Sequence, residues 1–368
     1  MRFKKIVLGT VLMIFLGLPL TGCIKDEGEK LKPFQVSYFR HKLMAVCFAD
    51  AKHGWTAGDQ GKILFTTDGG KTWGPQNSGT QHTLRAMSFI DAKHGWMAGG
   101  KGTIIKTDDG GLTWKPLNSG TQDDIMCIKF LDEKRGFVGG VFALVLRTED
   151  GGQTWTDMTN QFSEENISEE SMSNMSFDEK MKALGDEFQG GEETGESVVP
   201  LSPMVNEFFF ISALKGWAIG EAGSIWVTKD GGLKWEKQKS GQLEDLFSVF
   251  FKDENEGWVT GLNGTLLHTE NGGKTWQRQD SNVEQSLFGI AVSGNQGFGV
   301  GNAATMIKTE DGGKTWKSFT PVVVKSYSWL RGLTLIKGDQ EQQDKYVVVG
   351  GLGTLMVKEG DKYWEKRD

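Results

Sequence analysis

The phrase "TEDGGKTW" at Thr309–Trp316 constrains this chain more than any other feature, because nearly the same eight residues recur along its length. It stands as "TTDGGKTW" from Thr66, "TDDGGLTW" from Thr107, "TEDGGQTW" from Thr148, "TKDGGLKW" from Thr228 and "TENGGKTW" from Thr269, and ends, altered, as "VKEGDKYW" from Val357. Successive starts lie 41, 41, 80, 41, 40 and 48 residues apart, and 80 is one period plus an insertion. A period of about 40–50 residues with strand patterning is the signature of a propeller, with one four-stranded blade per repeat. Blade 2 shows the grammar: "LRAMSFID", "AKHG", "WMAGG", "KG", "TIIKT", the Asp-Gly-Gly turn, then "TWKPL". That reads as strand A, turn, strand B, turn, strand C, hairpin, strand D. The expected fold is all-β, a seven-bladed β-propeller of four-stranded antiparallel blades.

The repeated phrase matches the Asp-box, [Ser/Thr]-x-Asp-x-Gly-x-Thr-Trp, and its chemistry is that of a hairpin fastener. Asp68, Asp109, Asp150, Asp230, Asn271 and Asp311 sit where a side-chain oxygen can hold turn backbone groups. The glycines supply the positive φ values of a tight reversal. Trp73, Trp114, Trp155, Trp235, Trp276, Trp316 and Trp364 then begin the outer strands, each able to cover a blade edge. Calcium is excluded by count, since each loop offers one or two carboxylates and the ion takes about six to eight oxygens. Trp55, Trp96, Trp217 and Trp258 mark a second repeat position, filled by Phe137 and Phe298 in blades 3 and 6, so only Trp226 and Trp329 lie outside the framework.

The front of the chain reads as an export signal. Arg2, Lys4 and Lys5 precede an apolar run from Ile6 to Leu20, too short for a stable span. Its end, Leu20-Thr21-Gly22-Cys23, resembles the lipobox of bacterial lipoproteins, which implies acylation of Cys23 and anchoring in membrane lipid. Ile24 stands where inner-membrane lipoproteins carry Asp, which favours the periplasmic face of the outer membrane in a two-membrane host. The expected organisation is a signal peptide over 1–22, a lipidated linker over 23–33 and the propeller over 34–368, with Phe34–Phe39 pairing in the terminal blade to join the chain ends. An acidic insertion over 160–200 separates blades 3 and 4.

That insertion carries eleven acids and two lysines, against a net charge of −7 for the whole chain, so the propeller itself is close to neutral. No basic excess is left to hold nucleic acid. The segment is polar and poor in β-formers from Ser163 to Ser197, a composition that favours disorder. Within it Ser176 and Glu179 form a capping-box pattern, and Phe177, Met181, Leu184 and Phe188 share one helical face, which makes them candidate partner contacts. Cys47 and Cys127 lie in apolar runs on inner strands two blades apart and read as buried, inert thiols rather than a disulfide.

Catalysis finds little footing. The Asp-box is best known from sialidases, which resemblance would imply an arginine triad, a tyrosine nucleophile with a glutamate partner and a general acid. "YFRH" at Tyr38–His41 matches their N-terminal motif only loosely, and the tyrosines are Tyr38, Tyr327, Tyr346 and Tyr363, with Tyr346 opening a strand. No carboxylate pair recurs at channel-facing positions, as glycoside hydrolysis requires, and the five histidines form no ligand cluster. No metal or other cofactor is expected. A sialidase-like or glycan-binding propeller stands as the alternative function.

A fuller resemblance runs from Leu43 to Trp364. In blade 2 it rests on Phe89, Asp91, Gly95, Trp96, Gly99, Gly102, Ile104, Thr107, Asp109, Gly110, Gly111, Thr113 and Trp114. This unit is similar to that of the photosystem II stability and assembly factor family. The resemblance implies a non-enzymatic, lipid-anchored, monomeric propeller that binds a membrane or envelope protein during assembly, on the lumen side of the thylakoid if the host is cyanobacterial. The acidic insertion departs from the family pattern.

Tracing strands A to D places the Asp-boxes and A–B turns on one face of the ring and the B–C and D–A loops on the other. Two charged features are candidate partner contacts. The A–B turns of blades 1–4 are basic, with Lys52, Lys93, Lys134 and Arg135 prominent, whereas blades 5 and 6 carry "DENE" and "SGNQ". Arg85 and Arg331 align near the start of strand A in blades 2 and 7, which flank blade 1, so both guanidiniums can reach the channel rim.

Overall fold

Seven four-stranded antiparallel sheets, each built from four consecutive strands, make up the computed structural model. It describes residues 42–162, 203–319, 328–338, 343–360 and 365–366. The inner A strands are Leu43–Phe48, Leu84–Phe89, Ile125–Phe130, Val205–Phe210, Leu246–Phe251, Leu287–Ser293 and Leu330–Ile336. Strand B follows in each blade and is buried almost throughout, as in Gly54–Gly58 and Gly95–Gly99, because it is covered by the neighbouring blade on both faces. The outer D strands are only two to four residues long. Short edges leave little backbone for a foreign strand to pair with.

The core is divided into seven apolar clusters, one at each blade-to-blade interface. One of them joins Ile336, Val347 and Val349 of blade 7 to Leu43 and Val46 of blade 1, so side-chain packing closes the ring. At three interfaces the strand-B tryptophan stacks on the next blade's strand-A phenylalanine: Trp55 on Phe89 at 3.6 Å, Trp96 on Phe130 at 3.7 Å and Trp217 on Phe251 at 3.5 Å.

The Asp-box is a hairpin fastener, and the structure adds a second function to it. Thr107 Oγ1 donates to Asp109 Oδ1 (2.8 Å) and accepts from Gly111 N (2.8 Å), while Asp109 accepts from Thr113 N and Oγ1 at 2.9 and 2.6 Å. Asp68, Asp150 and Asp311 repeat the pattern. Asp230 holds its turn through the Leu233 and Lys234 amides. Asn271 reverses one bond, its Nδ2 donating to Thr275 Oγ1 at 2.8 Å. A glycine carbonyl of the loop then accepts from the preceding blade: Trp55 Nε1 reaches Gly110 O at 3.2 Å, Trp96 reaches Gly151 O at 3.0 Å, and Trp217 and Trp258 reach Gly272 and Gly313 at 3.3 Å. Blade 3 has Phe137 at that position and lacks the donor. There Phe162, fully buried against Phe208, Trp226 and Trp235, and Gln161, bonded to Leu233 O and Trp235 N, bind blade 3 to blade 4 instead.

Trp73, Trp114, Trp155, Trp235, Trp276 and Trp316 occupy equivalent places at the start of strand D. Trp364, Cys23, Phe34–Phe39 and the insertion residues Phe177, Met181, Leu184 and Phe188 lie outside the described residues. Among the described residues no helix is long and apolar enough to cross a membrane.

Candidate functional site

All seven A strands slip register by one residue at the same point, just inside the face that carries the B–C and D–A loops. The residues left out of the pairing are Met44, Arg85, Met126, Asn206, Phe247, Phe288 and Arg331. Bulges re-aim side chains and recur beside functional sites. Here they repeat around an axis, so one side chain per blade is turned toward the mouth of the central channel. The last glycine of each strand B makes room for this. A Cβ on Gly99 would lie 1.9 Å from Thr83 O, and one on Gly58 would lie 1.8 Å from Lys42 O. The glycine that ends every "WxxG" is therefore required by the neighbouring strand's backbone.

The ring is chemically divided. Phe247 and Phe288 meet with ring centroids 5.3 Å apart, and the Arg331 guanidinium lies over Phe288 at 5.8 Å. Asn206 is used structurally, donating to Leu246 O of the next blade at 2.9 Å. Arg85 pairs with Asp124 at 3.0 Å, and the Lys101 N–H, against some burial, together with Arg85 holds that carboxyl below the usual carboxylate range. Arg331 has no hydrogen bond or ion pair among the described residues. Burial first, and then the like charge of Arg85, push its guanidinium below its ordinary value. The two aligned arginines therefore differ in their surroundings, and among the described residues only Arg85 acquires a carboxylate. The sequence reading missed Phe247 and Phe288. Their signal was present, since "LFSVFF" and "LFGIAV" align with "LRAMSF" and "LRGLTL" at the second residue.

Deeper in the channel wall, Glu207 of blade 4 accepts from Val249 N of blade 5 at 2.7 Å. Burial raises its carboxyl to about 7, against the downward pull of the Val249 N–H and the Ser248 hydroxyl. Cys127 is buried and its Sγ meets Val205 O, whereas Cys47 is only half-buried, contrary to the sequence expectation. Burial pushes both thiols up, which keeps them protonated and unreactive. Among the described residues no group of three His, Cys, Asp or Glu side chains stands close enough to hold a metal.

The basic turns lie on the opposite, Asp-box face, and acids are interleaved with them. Asp50, Asp91 and Asp132 each cap their own turn, and Asp132 holds Arg135 at 2.7 Å while His53 and His94 meet Asp50 and Asp91 at 2.8 Å. Lys52, Lys93 and Lys134 lack ionic partners among the described residues. Beside so many carboxylates they do not make a continuous cationic surface.

A family model described as "Photosynthesis system II assembly factor YCF48" matches residues 75–161 and 194–364, well over half of the chain. Among solved structures, YCF48 from Cyanidioschyzon merolae is 21% identical, with a TM-score of 0.63 over 87% of this chain and 95% of that one. YCF48 bound to D1 peptide is 19% identical, with a TM-score of 0.61 over 88% and 94%. The GH74 xyloglucanase from Xanthomonas campestris is 11% identical, with a TM-score of 0.62 over 89% of this chain and 54% of that one. At these identities the solved structures establish the fold alone. No curated protein matches the chain.

Proposed function

The chain belongs to the photosynthesis system II assembly factor YCF48 family, and from that membership we propose that it is a non-catalytic propeller that binds a protein partner at its channel mouth. The observation that carries the reading is the ring of bulged side chains. It turns two guanidiniums and two phenylalanines outward on the face with small B–C loops, where a polypeptide can approach. The relative solved with a D1 peptide supports a peptide ligand for the fold. Acylation of Cys23 would hold the propeller to a membrane, so its partner is a subunit of a membrane or envelope complex and its role is assembly or scaffolding. The host sets which membrane this is: the outer membrane's periplasmic face, or the lumen side of a thylakoid.

The glycan-processing alternative gains nothing from the mouth. Tyr346 sits on strand B of blade 7, is 1% exposed and donates to Gln296 O at 3.0 Å, so it is part of the framework and no nucleophile. The test is affinity capture with the acylated protein from its own membranes, beside Cys23→Ser. Retention of defined membrane subunits supports the reading. Recovery of no protein by the wild type, or turnover of glycosides by purified protein, refutes it.

A further inference from the structure

Blade 4, which follows the acidic insertion, departs from the repeat on the Asp-box face. In each blade the first glycine N–H of the Asp-box turn donates to a carbonyl of the A–B turn. That carbonyl belongs to Lys52, Lys93, Lys134, Asn255 and Asn295 in blades 1, 2, 3, 5 and 6, but to Leu214 in blade 4, at 2.8 Å from Gly231 N. After its glycines blade 4 reads Leu233-Lys234, where the Asp-boxes of blades 1, 2, 3, 5 and 6 end their pair in threonine. Asp230 thereby forgoes the hydroxyl bond that Asp109 takes from Thr113 at 2.6 Å. In exchange the blade shows two leucines on one face, Leu214 57% and Leu233 54% exposed. Blade 2 has Leu112 alone, and among the described residues no other blade carries an exposed leucine at both places. Arg135 Nη1 of blade 3 lies 3.3 Å from where a Cβ on Gly231 would sit, so a cation borders the pair. Lys134 and Lys234, next in sequence to Arg135 and Leu233, have no ionic partner among the described residues. The fold gains nothing from this apolar patch, which calls for a cover.

We infer that the patch is a docking surface for the chain's own insertion, with Phe177, Met181, Leu184 and Phe188 set against Leu214 and Leu233. The chain passes out of the described residues beside the patch. Gln161 donates to Leu233 O and accepts from Trp235 N, both at 3.0 Å, and Phe162 is the last described residue before 203. Thirteen residues lie between Phe162 and Ser176, a reach of roughly 45 Å when extended. Such a tether makes the contact intramolecular, so two leucines suffice where a separate partner needs a far larger surface. Charge agrees with this occupant: Asp178, Glu179, Asp186 and Glu187 accompany its apolar positions, and basic residues border the leucines. The docked segment occupies the face opposite the channel mouth, so the inference does not depend on what the mouth binds.

Hydrogen exchange of the mature full chain, read by mass spectrometry, tests the contact. Amides of 176–188 should exchange at least about tenfold more slowly than in a synthetic peptide of the same sequence. Leu214→Asp together with Leu233→Asp should abolish that protection and leave the melting temperature unchanged, because both side chains are exposed. The surface is read separately through Leu233→Cys, which keeps the test open if the paired aspartates disturb folding. Its thiol should react with a maleimide at least about tenfold faster once Phe177→Asp and Leu184→Asp are added. Exchange as fast in the full chain as in the peptide overturns the assignment. So does protection that survives the paired aspartates in a folded variant, or labelling indifferent to Phe177→Asp and Leu184→Asp. Protection that grows with protein concentration, or that needs added membrane extract, gives the segment to a second copy or to a partner and overturns it equally.

Discussion

Replacing Asp109 tests what the repeated phrase does. Its carboxylate accepts three hydrogen bonds, from Thr107 Oγ1, Thr113 N and Thr113 Oγ1, at 2.8, 2.9 and 2.6 Å. Asp109→Ala removes all three, and since the site is half-exposed each is assigned about 1 kcal/mol, giving a loss of about 2–3 kcal/mol. Asp109→Asn should cost less than about 1 kcal/mol, because blade 5 already runs on Asn271, whose amide holds Thr275 at 2.8 and 2.9 Å. Hydrogen exchange at the Gly111 amide, which donates to Thr107 Oγ1 at 2.8 Å, reports the turn directly. Its exchange should quicken roughly 30- to 150-fold in the alanine variant and under about tenfold in the asparagine variant. The pH dependence has a definite sign. The Thr113 hydroxyl and N–H hold the Asp109 carboxyl at about 2, below its ordinary value. Its contribution is therefore complete above about pH 4 and fades as pH falls toward 2, and Asp109→Asn should lack that dependence. An asparagine variant as damaged as the alanine one would mean that charge, rather than bond geometry, holds the turn.

Further outcomes follow from the blade interfaces and the channel wall. Trp96→Phe keeps an aromatic ring against Phe130 but loses the bond to Gly151 O, and should lower stability by about 0.5–1.5 kcal/mol in urea unfolding; no change would show the latch to be idle. Gly99→Ala should prevent folding or cost several kcal/mol by circular dichroism melting, since the new Cβ meets Thr83 O at 1.9 Å, whereas Gly100→Ala, with its nearest neighbour at 3.6 Å, should be mild; equal effects would remove the packing argument for the bulge. Glu207 has a raised carboxyl, so its protonated form is favoured by folding. Its contribution is present below about pH 4.3 and is lost as pH rises through about 7. Glu207→Gln should flatten thermal stability between those limits, and a slope that persists in the variant would assign it to other groups.

Much of the architecture was written in the primary structure because a propeller is a local code repeated. Each Asp-box closes its hairpin with residues two to four positions apart, and each glycine turn needs only its own φ, so blade number, strand order and fastener chemistry follow from spacing alone. The alignment of Arg85 with Arg331 was legible for the same reason. What the sequence could not decide depends on contacts between blades, which join residues far apart in the chain. Trp96 reaches Gly151 across 55 residues, and the partner of a strand-B indole is fixed only when the next blade packs against its own. Whether an aligned arginine finds a carboxylate depended on the loop beside it: blade 3 offered Asp124 to Arg85, and no described residue offers one to Arg331. The mouth itself is a tertiary object. Seven bulges bring Phe247, Phe288, Arg331 and Arg85 from four separate blades around one axis, and only that convergence sets the Arg331 guanidinium over the Phe288 ring and that ring against Phe247.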